Sequence, residues 1–151
     1  MEADTNKLST VELCYGVLRN LNCEVRFEEE SKGDMLFNYQ SQEFKIIASD
    51  NTVIIEIWDF GWWSVSLDDL DEVSLVRKII NEINIRYDVS VVYSIDEEHG
   101  LLIVHSKRSC LFIKEIPAPE HYMSAMLGSF FEVQRLFHNL LIKAQNEKPK
   151  K

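Results

Sequence analysis

Basic residues are few: 16 Lys and Arg stand against 25 Asp and Glu, for a formal net charge of -9. The only local reversal is the terminal Glu147-Lys148-Pro149-Lys150-Lys151, which reads as a solvated terminus. Binding to a phosphate backbone draws on clustered Lys and Arg, and no basic stripe interleaved with aromatics occurs, so the composition argues against nucleic acid as a partner. Glycine is also scarce. The five glycines, at 16, 33, 61, 100 and 128, are each isolated, which excludes a glycine-rich loop cradling a nucleotide phosphate.

Long apolar runs are missing too. Even Val53 to Ile57, interrupted by Glu56, falls far short of the roughly 20 apolar residues that span a bilayer. The opening Met-Glu-Ala-Asp-Thr-Asn-Lys has neither the basic start nor the apolar centre of a signal peptide. Cys14, Cys23 and Cys110 are odd in number and show no Cys-x-x-Cys spacing, which suits small buried hydrophobes in a reducing compartment. A Cys14–Cys23 disulfide is disfavoured, because helical periodicity holds the two more than a turn apart. These features together place the protein in the cytoplasm, without a cofactor or a membrane contact.

What is present is enough to build a core. With 46% hydrophobic and 27% charged residues over 151 positions, one domain is expected, ordered over about 8–145. Ser9-Thr10-Val11-Glu12 fits a capping box, flanked by Leu8 and Leu13 at staple positions, and Leu13, Val17 and Leu21 recur at helical spacing to about Asn22. Alternating apolar residues mark strands at Glu24 to Glu30 and Asp34 to Gln40, with Gly33 in the hairpin between. Further strands at Glu43 to Ser49 and Thr52 to Trp58 flank the turn pair Asp50-Asn51.

Gly61 is read as a sharp turn, and Ser66-Leu67-Asp68-Asp69 as a second capping box with Val65 and Leu70 as its staple. The helix it starts carries Val73, Val76, Ile80, Ile83 and Tyr87 on one stripe. Strands at Val89 to Ile95 and Leu101 to His105 follow, then a polar turn at Lys107-Arg108-Ser109 and a third strand at Cys110 to Ile116. Pro119 suits the first turn of a last helix running to about Gln145. Its Met123, Met126, Phe130, Val133, Phe137, Leu140 and Ala144 form a stripe that Tyr122, Leu127, Phe131, Leu136 and Leu141 widen beyond one face. The expectation is an α+β protein with an antiparallel sheet of about six or seven strands and three helices, in the order α-β-β-β-β-α-β-β-β-α.

No catalytic constellation emerges. Asp68, Asp69, Asp71 and Glu72 lack the ligand spacing of a calcium loop and suit the positive end of a helix. Asp96-Glu97-Glu98-His99 reads as a hairpin tip. His99, His105, His121 and His138 lack metal spacing. A His105 and Cys110 pair across a hairpin would have no third, orienting group.

The order of elements, with Cys23-Glu24-Val25-Arg26-Phe27-Glu28-Glu29-Glu30, Phe37-Asn38-Tyr39-Gln40-Ser41-Gln42-Glu43-Phe44, and Trp63-Ser64-Val65-Ser66-Leu67-Asp68-Asp69 leading to Ile80-Asn81-Glu82-Ile83-Asn84, resembles the bacterial YbjN-type family. The likeness covers about residues 8–145. That family is described as candidate sensory transduction regulators with a fold like type III secretion chaperones. The resemblance implies a small non-enzymatic module that binds or chaperones protein segments, often as a homodimer, and it carries over no catalytic residue.

The surface for such a partner is sought among Trp58, Phe60, Trp62, Trp63 and Phe131. Each ring would leave about 150–250 Å² facing water if exposed, so at least two of the four between Trp58 and Trp63 belong in a core. Two other readings stand beside protein binding: a small-ligand binder or enzyme with a site assembled from scattered residues, and a self-associating structural subunit.

Overall fold

The computed structural model describes residues 9–147. Leu8 and the tail lysines Lys148, Lys150 and Lys151 lie outside the described residues. The elements are α1 (Thr10–Asn20), β1 (Val25–Phe27), β2 (Met35–Tyr39), β3 (Gln42–Ile47), β4 (Ile54–Ser66), α2 (Leu70–Arg86), β5 (Ser90–Asp96), β6 (Leu101–Leu111) and α3 (Pro119–Asn146). The strands form one antiparallel sheet in the order β1-β2-β3-β4-β6-β5. The fold is thus α+β, with six strands and three helices among the described residues.

The chain clusters into two compact units. Unit 1 holds the residues up to Trp58 together with Ser109–Leu127, and unit 2 holds Asp59–Arg108 with the residues from Gly128 onward.

In unit 1, Ser9 caps α1: its Oγ accepts from the Glu12 N–H at 3.1 Å in extended backbone, as the Ser-x-x-Glu pattern requires. The helix start is also tied to the β3–β4 turn. Val11 N–H donates to Asp50 Oδ1, and Thr10 Oγ1 donates to the Thr52 carbonyl. The buried face of α1 is Cys14, Val17 and Leu18, set beside Met35, Phe37, Phe44, Ile46, Ile55, Ile57 and Phe112 in the unit's core. Phe37 and Phe44 sit opposite each other in the β2–β3 register with rings stacked at 5.7 Å, the cross-strand pairing that fixes which face is buried. The start of α3 is tied in by Tyr39 and Ser124, whose hydroxyls lie 2.8 Å apart, and by Asn20, which donates to Glu120.

In unit 2, the buried stripe of α2 is Val76, Ile79, Ile80 and Ile83. With Val65, Val91, Leu102, Val104, Phe130, Val133, Phe137 and Leu141 it makes a second core. The spacing of Phe130, Val133, Phe137 and Leu141 is the three-or-four rhythm that the sequence shows.

Three local expectations change. Gly61 is not a sharp turn: β4 continues through it for five more residues, with φ +64° at the glycine. Ser66 does not cap α2. The cap is Asp69, whose carboxylate accepts from Glu72 N–H, while the Ser66 hydroxyl accepts from Asp68 N–H in the turn that ends β4. Leu70 is therefore the first helical residue and 75% exposed, so it staples nothing. Finally, Lys107-Arg108-Ser109 is strand rather than turn. Lys107 sits opposite Ser90 in the β5–β6 ladder, and Arg108 is held by Ser129 Oγ at 3.3 Å, so β6 extends to Leu111 and no separate strand follows at Cys110 to Ile116.

Candidate functional site

The five aromatic candidates divide between the units. In unit 1, Trp58 stands opposite Lys45 in the β3–β4 register, on the face that alternation turns away from Ile46 and Ile57. The ring is half-buried, and its Nε1–H donates to the Glu56 carboxylate two residues back on the same face. Lys45 bridges Glu28 at 3.1 Å and lies 3.8 Å from Asp34, so this face combines an ion-pair group with the exposed Ile47 and Ile54.

In unit 2, successive residues of a regular strand point to opposite faces, yet Trp62 and Trp63 both reach the same two side chains of α3. Trp62 lies 5.0 Å from the Phe137 ring and 6.2 Å from His138, and Trp63 lies 5.8 and 5.0 Å from the same pair. Gly61, just before them, takes a positive φ of +64° within the strand, a departure from regular extended backbone at the point where the two rings begin. Trp62 Nε1–H donates to the fully buried Ser106 Oγ at 3.0 Å. Trp63 Nε1–H is buried and finds no acceptor among the described residues. Both tryptophans are half-buried, so much of the aromatic surface counted from sequence is spent on packing α3.

Phe60 behaves differently. It is 52% exposed and meets the His105 ring edge-on at 5.6 Å. Leu102, Val104 and Ser106 are the buried residues of β6, so His105 and Ile103 lie on the opposite, outer face, and Phe60 joins them there. Phe131, on α3, is half-buried, between the buried Phe130 and Val133.

His105 is the residue whose role sequence reasoning missed. The expected hairpin between it and Cys110 does not exist, since β6 runs unbroken through both. Instead His105 Nδ1 accepts from the Gly61 backbone N–H at 2.9 Å, and Nε2 lies 2.8 Å from Ser94 Oγ. Burial lowers its pKa, the direction expected of an imidazole held neutral. The only signal in the sequence was a histidine inside an otherwise apolar strand.

The acidic groups have local uses. Asp69 caps α2, and Asp96 at the β5–β6 turn is held below the usual carboxylate range by the His99 side-chain and backbone hydrogen bonds. Asp59 is an exception: it is 1% exposed, and its carboxylate accepts from Gln134 Nε2. Among the described residues no three His, Cys, Asp or Glu side chains come together to hold a metal ion, and no helix is long and apolar enough to cross a membrane. A cavity of about 630 Å³ in unit 1 lies beside the start of α1 and is lined by Thr10, Leu13, Asp50, Val53, Phe112 and Lys114 among others.

No protein-family model matches the chain, and no curated protein is significantly similar to it. Solved structures are. An uncharacterized protein from Methanothermobacter thermautotrophicus superposes with a TM-score of 0.60 at 14% identity, over 89% of this chain and 98% of its own. YbjN from E. coli, described as a candidate transcription regulator, superposes with a TM-score of 0.50 at 11% identity, over 90% of this chain and 91% of its own. At such identities the likeness is one of fold: the chain folds like YbjN.

Proposed function

We propose that this protein is a non-enzymatic cytoplasmic regulator of the YbjN type that acts by binding another polypeptide. The observation that supports it most is Phe60, a large apolar ring standing half in water on the outer face of unit 2 beside Ile103 and His105. Covering the exposed half of such a ring gains about 1 kcal/mol, and a partner that covers its neighbours adds to that. YbjN's description as a candidate transcription regulator fits a regulatory role here too. With a net charge of -9, such regulation runs through protein contact rather than through a DNA backbone.

Native mass spectrometry of the protein purified from its own cells tests this. A co-purifying protein that Phe60→Asp releases, with the fold intact by circular dichroism, is the expected result. A bare monomer at every salt concentration overturns the proposal.

Small-ligand binding is a second reading, favoured by the unit 1 cavity beside α1, where apolar Leu13, Val53 and Phe112 meet polar Thr10, Asp50 and Lys114. A thermal-shift screen of metabolites separates the two, since a small molecule that raises Tm of the bare monomer belongs to this reading alone.

A further inference from the structure

The sheet ends at β5, and one side of that strand is only partly closed. Asn84 on α2 donates from Nδ2 to the Val91 carbonyl at 2.9 Å and accepts from the Val91 N–H at 2.8 Å, imitating the next strand of a ladder. Both backbone groups of Val91 must therefore face away from β6. In an antiparallel ladder residues two apart share that direction, so the N–H and C=O of Tyr93 and Ile95 face away from β6 as well. Neither residue has a further hydrogen-bond partner among the described residues. Their side chains are 40% and 46% exposed.

Alongside this open stretch lies a groove of about 520 Å³ lined by Ser74, Arg77, Lys78, Asn81, Asn84 and Tyr93, with Ile80 at its floor. No carboxylate lines it. Arg77 and Lys78 are exposed and form no ion pair among the described residues, in a chain whose net charge is -9. Glu82, four residues beyond Lys78, makes no ion pair with it, and Asp96 at the far end of β5 is engaged by His99. An unpaired strand edge beside two unpaired cations calls for an extended backbone that carries negative charge.

We propose that the free edge of β5 at Tyr93 and Ile95 captures an extended acidic peptide as an added strand, with Arg77 and Lys78 of α2 receiving its carboxylates. Main-chain bonds to the two outward residues set the register, and the paired cations select for acid. This rests on the reading of the protein as a polypeptide binder, but on a surface distinct from that of Phe60.

The test uses the full chain and a fluorescein-labelled nine-residue peptide of alternating Glu and Val. Fluorescence anisotropy should show binding that falls at least tenfold between 50 and 300 mM salt and at least tenfold in the Arg77→Glu/Lys78→Glu variant. A peptide with the same charges but N-methylated at alternate residues cannot bond along the edge and should also bind at least tenfold more weakly. Hydrogen exchange should slow at the Tyr93 and Ile95 amides when the unmodified peptide is present. These amides are read without any substitution in β5, so a misfolded variant cannot obscure the result.

Equal binding of the N-methylated peptide, equal binding of a Lys-Val counterpart, or no binding up to millimolar peptide overturns the proposal. So does protection of the two amides by a concentration-dependent dimer of this chain that the peptide fails to displace. A native partner retained by Arg77→Glu/Lys78→Glu but lost on Phe60→Asp would sink this inference while leaving the polypeptide-binding reading in place.

Discussion

The Gly61 backbone N–H donates to His105 Nδ1 at 2.9 Å, so the ring nitrogen facing β4 must keep its lone pair. In the neutral ring the proton then sits on Nε2, beside Ser94 Oγ. Protonating His105 places hydrogen on both sides of the Gly61 contact and breaks it. Burial already lowers the pKa of this ring below its ordinary 6.5. The folded protein thus binds its proton less readily than the unfolded chain, and the stabilisation is complete above about pH 6.5 and is lost as pH falls through the lower folded-state value. Urea midpoints between pH 7.5 and 5 should drop more steeply for the wild type than for His105→Asn, whose Oδ1 takes the place of Nδ1 as acceptor for Gly61 but does not titrate. Parallel slopes would show that the ring protonates without cost.

Two glycines differ in what a methyl group would meet. At Gly61 an added Cβ finds only Ile103 Cγ2, at an ordinary 3.7 Å, so Gly61→Ala should cost the left-handed backbone alone, about 1–2 kcal/mol. Gly61→Asn should cost less, because Asn tolerates that conformation. At Gly33, φ is +133° and the Cβ would lie 2.5 Å from the Ala48 carbonyl oxygen, so backbone must move. Gly33→Ala should cost more than about 3 kcal/mol. Denaturant unfolding of the three variants checks the order.

The contrast between these glycines also shows where sequence reading succeeds. Gly33 takes the positive φ expected of it between two antiparallel strands, although β1 ends at Phe27 and the connection runs over residues 28–34 rather than through a tight three-residue hairpin. The Ser9 cap, the Phe37 and Phe44 face and Pro119 at a helix start are likewise local facts, settled within a few residues. Gly61 has the same intrinsic freedom, but whether it turns the chain or lies inside a strand depends on His105, 44 residues away, which accepts its N–H. Ser66 and Asp69 are both good caps, and the choice fell to the end of β4, which uses Ser66 as strand. Of the candidate surface, a sequence shows that four aromatics cluster, but not that Trp62 and Trp63 turn to Phe137 while Phe60 stays in water. The open edge of β5 was hidden for the same reason. Asn84 could be read as a helix-end asparagine, and its bond to Val91 exists only once α2 and β5 are side by side.

Because Asp69 rather than Ser66 caps α2, the two serve different elements. Asp69→Ala removes the acceptor for Glu72 N–H and a carboxylate at the positive helix end, and should cost about 1 kcal/mol, up to about 2. Ser66→Ala loses only an exposed turn contact to Asp68 N–H and should cost less. Thermal melts followed at 222 nm distinguish them. A larger loss in Ser66→Ala would place the start of the helix where the capping box first suggested.

Asp59 sits 1% exposed in unit 2, and Gln134 Nε2–H donates to it. A hydrogen bond to a charged acceptor is worth about 1.5–3 kcal/mol, most of it the penalty of leaving the acceptor undersatisfied. Gln134→Leu should therefore cost about 2 kcal/mol, far more than its change in volume warrants. Asp59→Asn keeps an acceptor for Gln134 without the charge, so adding Gln134→Leu to Asp59→Asn should cost less than adding it to the wild type. A double-mutant cycle in urea reads this difference, and simple additivity would show that the pair is not coupled.

Cys14 faces the core of unit 1 with no exposure, and its pKa is pushed up to about 12, by burial first and by the Cys110 thiol second. Burial raises that of Cys23 as well. Since the thiolate is the attacking species, neither should react at pH 8 while the protein stays folded. Cys110, half-buried near the end of β6, is the thiol open to reagent. Iodoacetamide with peptide mapping should label Cys110 first, with Cys14 and Cys23 following only at the rate of unfolding and together in denaturant. The unfolded fraction at a stability of 5–15 kcal/mol is about 1 in 10⁴ or less, so the gap should span several orders of magnitude in rate. Early labelling of Cys14 would mean that α1 opens locally, away from the sheet of its own unit, on a timescale the rest of the fold does not share.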